Sequence, residues 1–351
     1  MEFALILTAA FLLDALAGDP PSLPHPVRFL GWFIHRAEQR LRNLFRVPVS
    51  GTTGPDAAVP RMRRERFAGL LLLVSTMLVA FVIPWLLVRL GAAIHPLLGH
   101  AVTCLLLYSA LATRCLGDEG MKVAHVLETG DLPAARRQLS MLVGRQTEHL
   151  DAQAVARGAA ETVAENTVDG ILSVLFFAVL GAAFGIAAPL AWTFKAVSTL
   201  DSMVGYRNER YRYFGTASAR ADDAMNFLPA RLSGLLIPLA ARLCGLDARG
   251  SRHMARRDHA LHASPNSGWP ESAFAGALGV RFGGPNVYFG RIMDKPWIGE
   301  AKRDMTATLV RSAVRLMWTT AALGLLAGVT ATGLLAGLTA TGLLTALGIP
   351  G

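Results

Sequence analysis

Long uncharged runs set the first division of this chain into elements. Residues 67–95 carry a single charge, Arg89, and residues 171–194 carry none. Each run exceeds the ~20 residues that cross a bilayer as a helix. Residues 317–349 are also uncharged and longer than one perpendicular span requires. Residues 3–17 and 101–112 are shorter, so each is a tilted span, a partial span or a buried helix. The stretch 67–112 predicts a helical hairpin turning near His95-Pro96.

Breaks in the pattern say how these runs are used. In "GDPPSLPHPVRFLG" four prolines in seven positions stop the first helix. Residues 29–45 then predict an amphipathic surface helix, and 47–60 a flexible linker. Residues 114–170 are patterned as soluble helices. Gly181, Gly185 and Pro189 divide the run 171–194 in two. A single crossing there would put the flanking polar blocks on opposite faces of the membrane, whereas a re-entrant hairpin keeps them together. Pro229, Arg231, Pro238 and Arg242 interrupt 227–246 in the same way, and partial insertion is expected for both. The tail repeats every nine residues ("GLLAGVTAT", "GLLAGLTAT", "GLLTALGIP"), with Gly324/Gly328 and Gly333/Gly337 as small-xxx-small pairs suited to close helix packing.

The expected fold class is therefore all-α: a polytopic integral membrane protein with partial or re-entrant helices and polar loops facing the cytoplasm. Residues 1–351 form one membrane-embedded domain, with the linker at 47–60 and a repetitive membrane helix region at 317–351. A composition of 52% hydrophobic and 17% charged residues agrees, being too apolar for an ordinary soluble protein. The N-terminal run imitates a secretory signal, but only Glu2 precedes it where a basic region belongs, so a retained helix is expected. Cys104, Cys115 and Cys244 make no CxxC pair and are expected as reduced core residues.

Charge is unevenly distributed. Residues 18–66 hold nine Lys/Arg against four Asp/Glu and 242–315 twelve against six, while 114–170 reverse the balance with six against nine. Basic segments beside spans favour the cytoplasmic (inner-membrane) side and suit anionic lipid or anionic substrates. No nucleic-acid-binding motif accompanies the charge, so no nucleic-acid partner is expected.

Four polar blocks carry candidate chemistry. In "GRQTEHLDAQAVARGAAETVAENTVDG", Glu161, Glu165, Asp169 and Ser173 recur four apart and share a helix face, a stripe of like charges that needs a cationic counterpart. With Glu148, Asp151 and the amide of Asn166 they offer hard oxygen ligands of the kind magnesium takes, one or two at a time beside substrate phosphates. The same spacing also fits a solvated acidic face. In "FKAVSTLDSMVGYRNERYRYFG", Lys195 and Asp201 precede Arg207, Arg210 and Arg212, interleaved with Tyr206, Asn208, Tyr211 and Tyr213. Arginine forks suit phosphates and tyrosines suit ring stacking, though an aromatic-basic membrane belt has the same look. "HASPNSGWPE" presents His262, Ser264, Asn266, Ser267 and Trp269 on an irregular loop, with histidines upstream that fit a metal cluster or plain solvated and capping roles. The proline loop with Asp19, His25 and Arg28 is expected to be structural. No P-loop, H-E-x-x-H or G-x-S-x-G motif occurs.

These blocks, in this order, resemble the adenosylcobinamide-phosphate synthase family of cobalamin biosynthesis. The likeness rests on "LLDALAGDPPSLPHPVRFLG", the acidic block, "KAVSTLDSMVGYRNERYRYFGTASARADD", "HASPNSGWPESAFAGALGVRFGGPN" and "KPWIG". It implies an integral membrane ligase that joins adenosylcobyric acid to an aminoalcohol phosphate through an amide, using ATP and Mg2+. In such an enzyme Glu161, Glu165 and Asp169, with Glu148 and Asp151 behind them, would hold metal. Lys195, Arg207, Arg210 and Arg212 would bind phosphates. Asp201 or His262 would act as general base, with Lys195 also catalytic. Tyr206, Asn208, Ser264, Asn266, Trp269 and Asn166 would contact substrate. A homo-oligomer and contacts with other enzymes of the pathway are left open. A non-enzymatic regulatory homologue and a corrinoid transporter are the alternatives.

Overall fold

The computed structural model describes residues 2–20, 25–47, 55–206, 208–288 and 290–340. Helix α1 (Glu2–Ala17) ends at Gly18, whose left-handed φ of 57° turns the chain. Helix α2 (Pro26–Leu44) starts cleanly because Pro26 opens it and the His25 Nδ1 accepts the Val27 N–H at 3.2 Å. The other ring nitrogen of His25 lies 3.2 Å from the Asp19 carboxylate, which links Asp19 to the start of α2. As the pattern required, α2 is amphipathic: Leu30 and Ile34 are buried, whereas Phe29 and Trp32 are exposed and in ring contact.

Helix α3 (Pro55–Ile94) begins inside the stretch expected as linker, and 48–54 lie outside the described residues. It and α4 (Pro96–Ala110) form the expected hairpin, with His95 capping α4 through Nδ1 and Pro96 in the first turn. Then come α5 (Thr113–Glu128), α6 (Leu132–Ser140) and α7 (Ala152–Thr167), the last two capped by Asp131 and Asp151. A π-helical turn, Val168–Leu172, joins α7 to α8 (Ser173–Ala182). After a turn through Gly185 (φ 67°), α9 (Ala187–Val204) packs back along α8. The uncharged run 171–194 is thus a helical hairpin, broken where its glycines stand.

Helices α10 (Thr216–Met225) and α11 (Phe227–Leu243) meet at a 44° bend. Pro229 falls in the first turn of α11, where its missing N–H costs no hydrogen bond, and Pro238 is carried inside the helix. α12 (Ala248–Asp258) and α13 (Gly268–Leu278) pack together. Four three-residue strands follow: β1 (Arg281–Gly283), β2 (Asn286–Tyr288), β3 (Arg291–Met293) and β4 (Trp297–Gly299). β1 pairs antiparallel with β4 and β2 with β3, a nested hairpin in the region expected as loops. Helix α14 (Ala307–Ala340) closes the main core by packing on α5, α7 and α8.

Among the described residues four helical segments are long and apolar enough to cross a membrane: Arg61–Ile94, Pro96–Glu128, Ala152–Ala182 and Ala307–Leu334. The bent α10–α11 pair would be a fifth. The chain is an all-α, multi-pass membrane protein. Two of these spans take in much of 114–170, which was expected to be soluble; short apolar faces there add to neighbouring runs once α4 continues into α5 and α7 into α8. In the tail, a Cβ on Gly324 or Gly328 would press on Leu172 or Val179, as close packing requires, but Gly333 and Gly337 face open space. Residues 341–351 of the repeat lie outside the described residues. Cys104 and Cys244 are half-buried, while Cys115, expected in the core, is exposed.

A second core joins α2, α3 and α9 through Ile34, Leu72, Leu200 and Phe214. Beside it Glu38, 2% exposed, holds three groups at once. Arg42 donates to it at 2.8 Å, Arg210 at 3.0 Å and the Tyr211 hydroxyl at 3.4 Å. Arg42 itself lies over the Phe214 ring, 4.2 Å from its centroid. Glu38→Ala would leave the buried Arg42 unpaired, so a loss of about 3–5 kcal/mol is expected. A lowered melting temperature of the detergent-solubilised protein checks it, with Glu38→Gln expected to lose less.

Candidate functional site

The α8–α9 hairpin returns the chain to the end of α7, so the two richest polar blocks meet. Asp169 in the π turn, Glu165 a turn earlier, Asp201 near the end of α9 and Asp222 on α10 interact electrostatically as one group, and Asp223 acts on Asp201 and Asp222. Asp201 Oδ1 and Asp222 Oδ1 are buried without hydrogen-bond partners. Burial, with Asp223 and Glu165 nearby, pushes the Asp201 carboxyl up to about 6. The stripe continues beyond Asp169: Ser173 donates to Asn226 Oδ1 at 2.7 Å, and Asn226 Nδ2 donates to Asp222 at 3.1 Å. On another side Lys195 interacts with Asp19, Asp169 and Asp14, which brings the end of α1 and the proline loop to the same place.

Glu161, one turn back on α7, has a different setting. Arg145 Nη2 donates to it at 2.7 Å, and so does the Gly283 N–H of β1 at 2.7 Å. Arg145 is therefore a cation that the acidic stripe required. It crosses α7 over Gly158, where a Cβ would run into its guanidinium, and its Nη1 donates to Asn286 Oδ1 at 2.6 Å. Glu165 links the two settings: its Oε1 accepts the Ser267 hydroxyl at 3.0 Å, and its charge reaches both His262 and Glu271.

His262 Nδ1 accepts the Ser264 N–H at 3.0 Å, so its neutral ring carries the proton on Nε2, 3.6 Å from Glu271. Burial holds this imidazole below its usual range. Burial beside Glu165 and Glu161 drives Glu271 well above the carboxylate range. The loop thus takes Nδ1 of His262 and Nε2 faces Glu271, while Asp201 Oδ1 has no hydrogen-bond partner.

The remaining expected residues divide by what they touch. Glu148 is exposed, and Asp151 spends a carboxylate oxygen on the Ala154 N–H, about 27 Å along the helix line from Asp169. Arg210 is drawn to Glu38, Arg212 is exposed over Tyr213, and Arg207 lies outside the described residues. The Tyr206 hydroxyl comes up against Gly144, beside Arg145. Asn208 caps its own turn by accepting the Tyr211 N–H. Both ends of the Asn266 amide are occupied, by the Asp223 carbonyl and by Arg231, and Ser264 Oγ accepts the N–H groups of Asn266 and Ser267. The Trp269 ring stacks on His259 at 4.0 Å, and the Asn166 amide donates back to Thr162. Sequence reasoning missed Arg145, Asp222, Asp223, Asn226 and Glu271. Four of them stand inside the motif text and Asn226 three residues beyond it, but at no helical spacing from the stripe.

Fold and site define a multi-pass helical membrane protein with a carboxylate-rich polar site, built from the ends of α7 and α9, from α10 and from the loop before α13. The chain belongs to the CobD/Cbib protein family, whose sequence pattern matches residues 7–317. It is 49% identical over 327 residues to "Cobalamin biosynthesis protein CobD" of Geobacter metallireducens, covering 93% of this chain and 96% of that one. It is 45% identical over 316 residues to the protein of the same name from Klebsiella pneumoniae, covering 90% and 93%. It is 42% identical over 316 residues to "Cobalamin biosynthesis protein CbiB" of Salmonella typhimurium, again covering 90% and 93%. No solved structure is significantly similar.

Proposed function

We propose that the protein acts in cobalamin biosynthesis as an ATP-dependent ligase of the inner membrane, with its polar site facing the cytoplasm. It joins adenosylcobyric acid to an aminoalcohol phosphate, of aminopropanol type, giving adenosylcobinamide phosphate. The observation that carries this reading is the convergence of Glu165, Asp169, Asp201 and Asp222 with Lys195, in a chain matched to the family over residues 7–317.

A carboxylate does not condense with an amine at neutral pH until one of its oxygens becomes a better leaving group. Transfer of the ATP γ-phosphoryl group to the corrinoid carboxylate supplies that, and the amine then displaces phosphate. Each amide formed leaves one ADP and one phosphate. The donor set fits a magnesium ion: it is all oxygen, and the buried Asp222 Oδ1 lacks a partner. Among the described residues no three such side chains form a ready-made metal cage, which suits an ion usually held by one or two carboxylates and by substrate phosphates. Bound there by Glu165, Asp169 or Asp222, magnesium would neutralise triphosphate charge. Lys195 supplies a cation for the phosphates from the opposite side. Asp201 takes the proton that the amine loses as the amide forms. His262 and Ser267 hold the neighbouring loop against Glu165.

Purified protein should convert adenosylcobyric acid, ATP, Mg2+ and aminopropanol phosphate to a corrinoid whose mass shows one amide formed with loss of water. ADP should appear in equal amount. A correctly inserted, folded protein that gives no such product with any aminoalcohol or its phosphate overturns the reading.

A further inference from the structure

The geometry points to a second subsite, cationic and separate from the carboxylate group, that binds the phosphomonoester of the amine substrate. It rests on the ligase reading for the identity of its ligand, and on the following contacts for its existence. The register of β1 and β4 pairs Arg281 with Gly299 and Gly283 with Trp297, so Arg281 and Trp297 are diagonal neighbours on one face of the ribbon. The Arg281 guanidinium lies over the Trp297 ring, 4.0 Å from its centroid, and Arg157 of α7 lies over the same ring at 5.0 Å. Gly284 makes this possible: its φ of 77° suits glycine, and a Cβ there would enter the indole.

Stacking uses the faces of the two guanidinium groups and leaves their N–H edges to a ligand. Among the described residues neither Arg157 nor Arg281 has an ion pair or a side-chain hydrogen bond, and Arg157 Nε is buried without a partner. Arg145 stands close enough to interact with Arg157, as does Arg281. The Arg145 side chain is only 6% exposed, and its Nε also lacks a partner. The anion in direct contact, Glu161, gives one oxygen to Arg145 and the other to the Gly283 N–H. Three guanidinium groups thus gather around Arg157 against two carboxylates, Glu161 and Asp151, the latter with one oxygen spent on the Ala154 N–H. A phosphomonoester, close to a dianion at neutral pH with three acceptor oxygens, is the ligand this arrangement fits. Along α7 this cluster stands about 12 Å from Glu165, the first member of the carboxylate group on that helix.

The test is calorimetric titration of the full-length protein in detergent with phosphoethanolamine, ethanolamine and ATP-Mg2+, followed by KM measurement for the phosphorylated amine. Wild type should bind phosphoethanolamine and not ethanolamine. Arg157→Gln and Arg281→Gln should each weaken phosphoethanolamine binding by about tenfold or more, the loss of a charged hydrogen-bonding partner. ATP binding should change less than twofold. Unchanged phosphoethanolamine affinity in folded variants overturns the subsite. Loss of ATP affinity instead assigns the cluster to the nucleotide and overturns it equally. If the glutamine variants do not fold, Arg157→Lys and Arg281→Lys decide: they keep the charge but lose the fork, and intermediate weakening is expected, with wild-type affinity counting against the proposal. Arginine-dependent binding without any corrinoid amide formed would sink the ligase reading and leave the subsite standing.

Discussion

Glu165→Ala is expected to remove on the order of 10³-fold or more of amide formation while leaving the protein in the membrane. Glu165 is the side chain that touches both halves of the site. Its charge acts on Asp201 and Asp222 on one side and on His262 and Glu271 on the other, and its Oε1 accepts the Ser267 hydroxyl. Alanine removes the charge and the loop contact together, so Glu165→Gln separates them. Glutamine keeps an acceptor for Ser267 and loses the charge; equal inactivity of the two variants assigns the effect to charge. The corrinoid product is weighed, and gel-filtration profiles confirm that the variants fold. Wild-type turnover in Glu165→Gln would take this residue out of metal binding.

Asp201→Asn should lower kcat/KM by about 10²–10⁴-fold, the range of general-base catalysis. The wild-type rate should also fall about tenfold per pH unit below the Asp201 pKa of about 6, because the carboxylate must be unprotonated to accept the amine proton. That acid limb should vanish in the variant. Stability should move the other way. A carboxyl whose folded pKa is raised contributes stability at acid pH that is lost as pH rises through about 6, so the native charged form is unfavourable at pH 8. Asparagine carries no charge to bury, and the melting temperature at pH 8 should hold or rise. A variant that loses its activity together with its fold would count against a proton-transfer role.

How much of this was legible depended on whether a feature lay within one element. The acidic stripe could be found because Glu161, Glu165 and Asp169 repeat on a single helix, and the α8–α9 hairpin because Gly181, Gly185 and Pro189 punctuate an otherwise uniform run. The cations were harder. Arginines 207–212 stand out as a cluster in sequence, yet Arg210 is turned to Glu38, while Arg145 reaches Glu161 from the loop before α7, Arg281 approaches Arg157 from β1, and Arg157 itself stands four residues before Glu161 on the same helix. No periodicity joins Arg145 and Arg281 to the stripe, because a tertiary contact from a loop or a ribbon leaves no spacing to read; Arg157, at the stripe's own four-residue spacing, was legible. The strands escaped notice for a related reason: three-residue pairings held by glycine turns have no alternation long enough to register.

The π turn at Val168–Leu172 makes chain length itself a functional quantity. Its signature is the Ser173 N–H bonding back to Val168, one residue further than in an ordinary helix. Side chains four apart on a regular helix precess around the axis, and the wider loop of backbone winds that precession back, so Ser173 still meets Asn226. Deletion of one residue here other than Asp169 would spare every carboxylate and relax the helix to its ordinary pitch. It would also swing α8 and everything it carries out of phase with Glu165, so the segment tolerates exchange of residue types more readily than a change in their number.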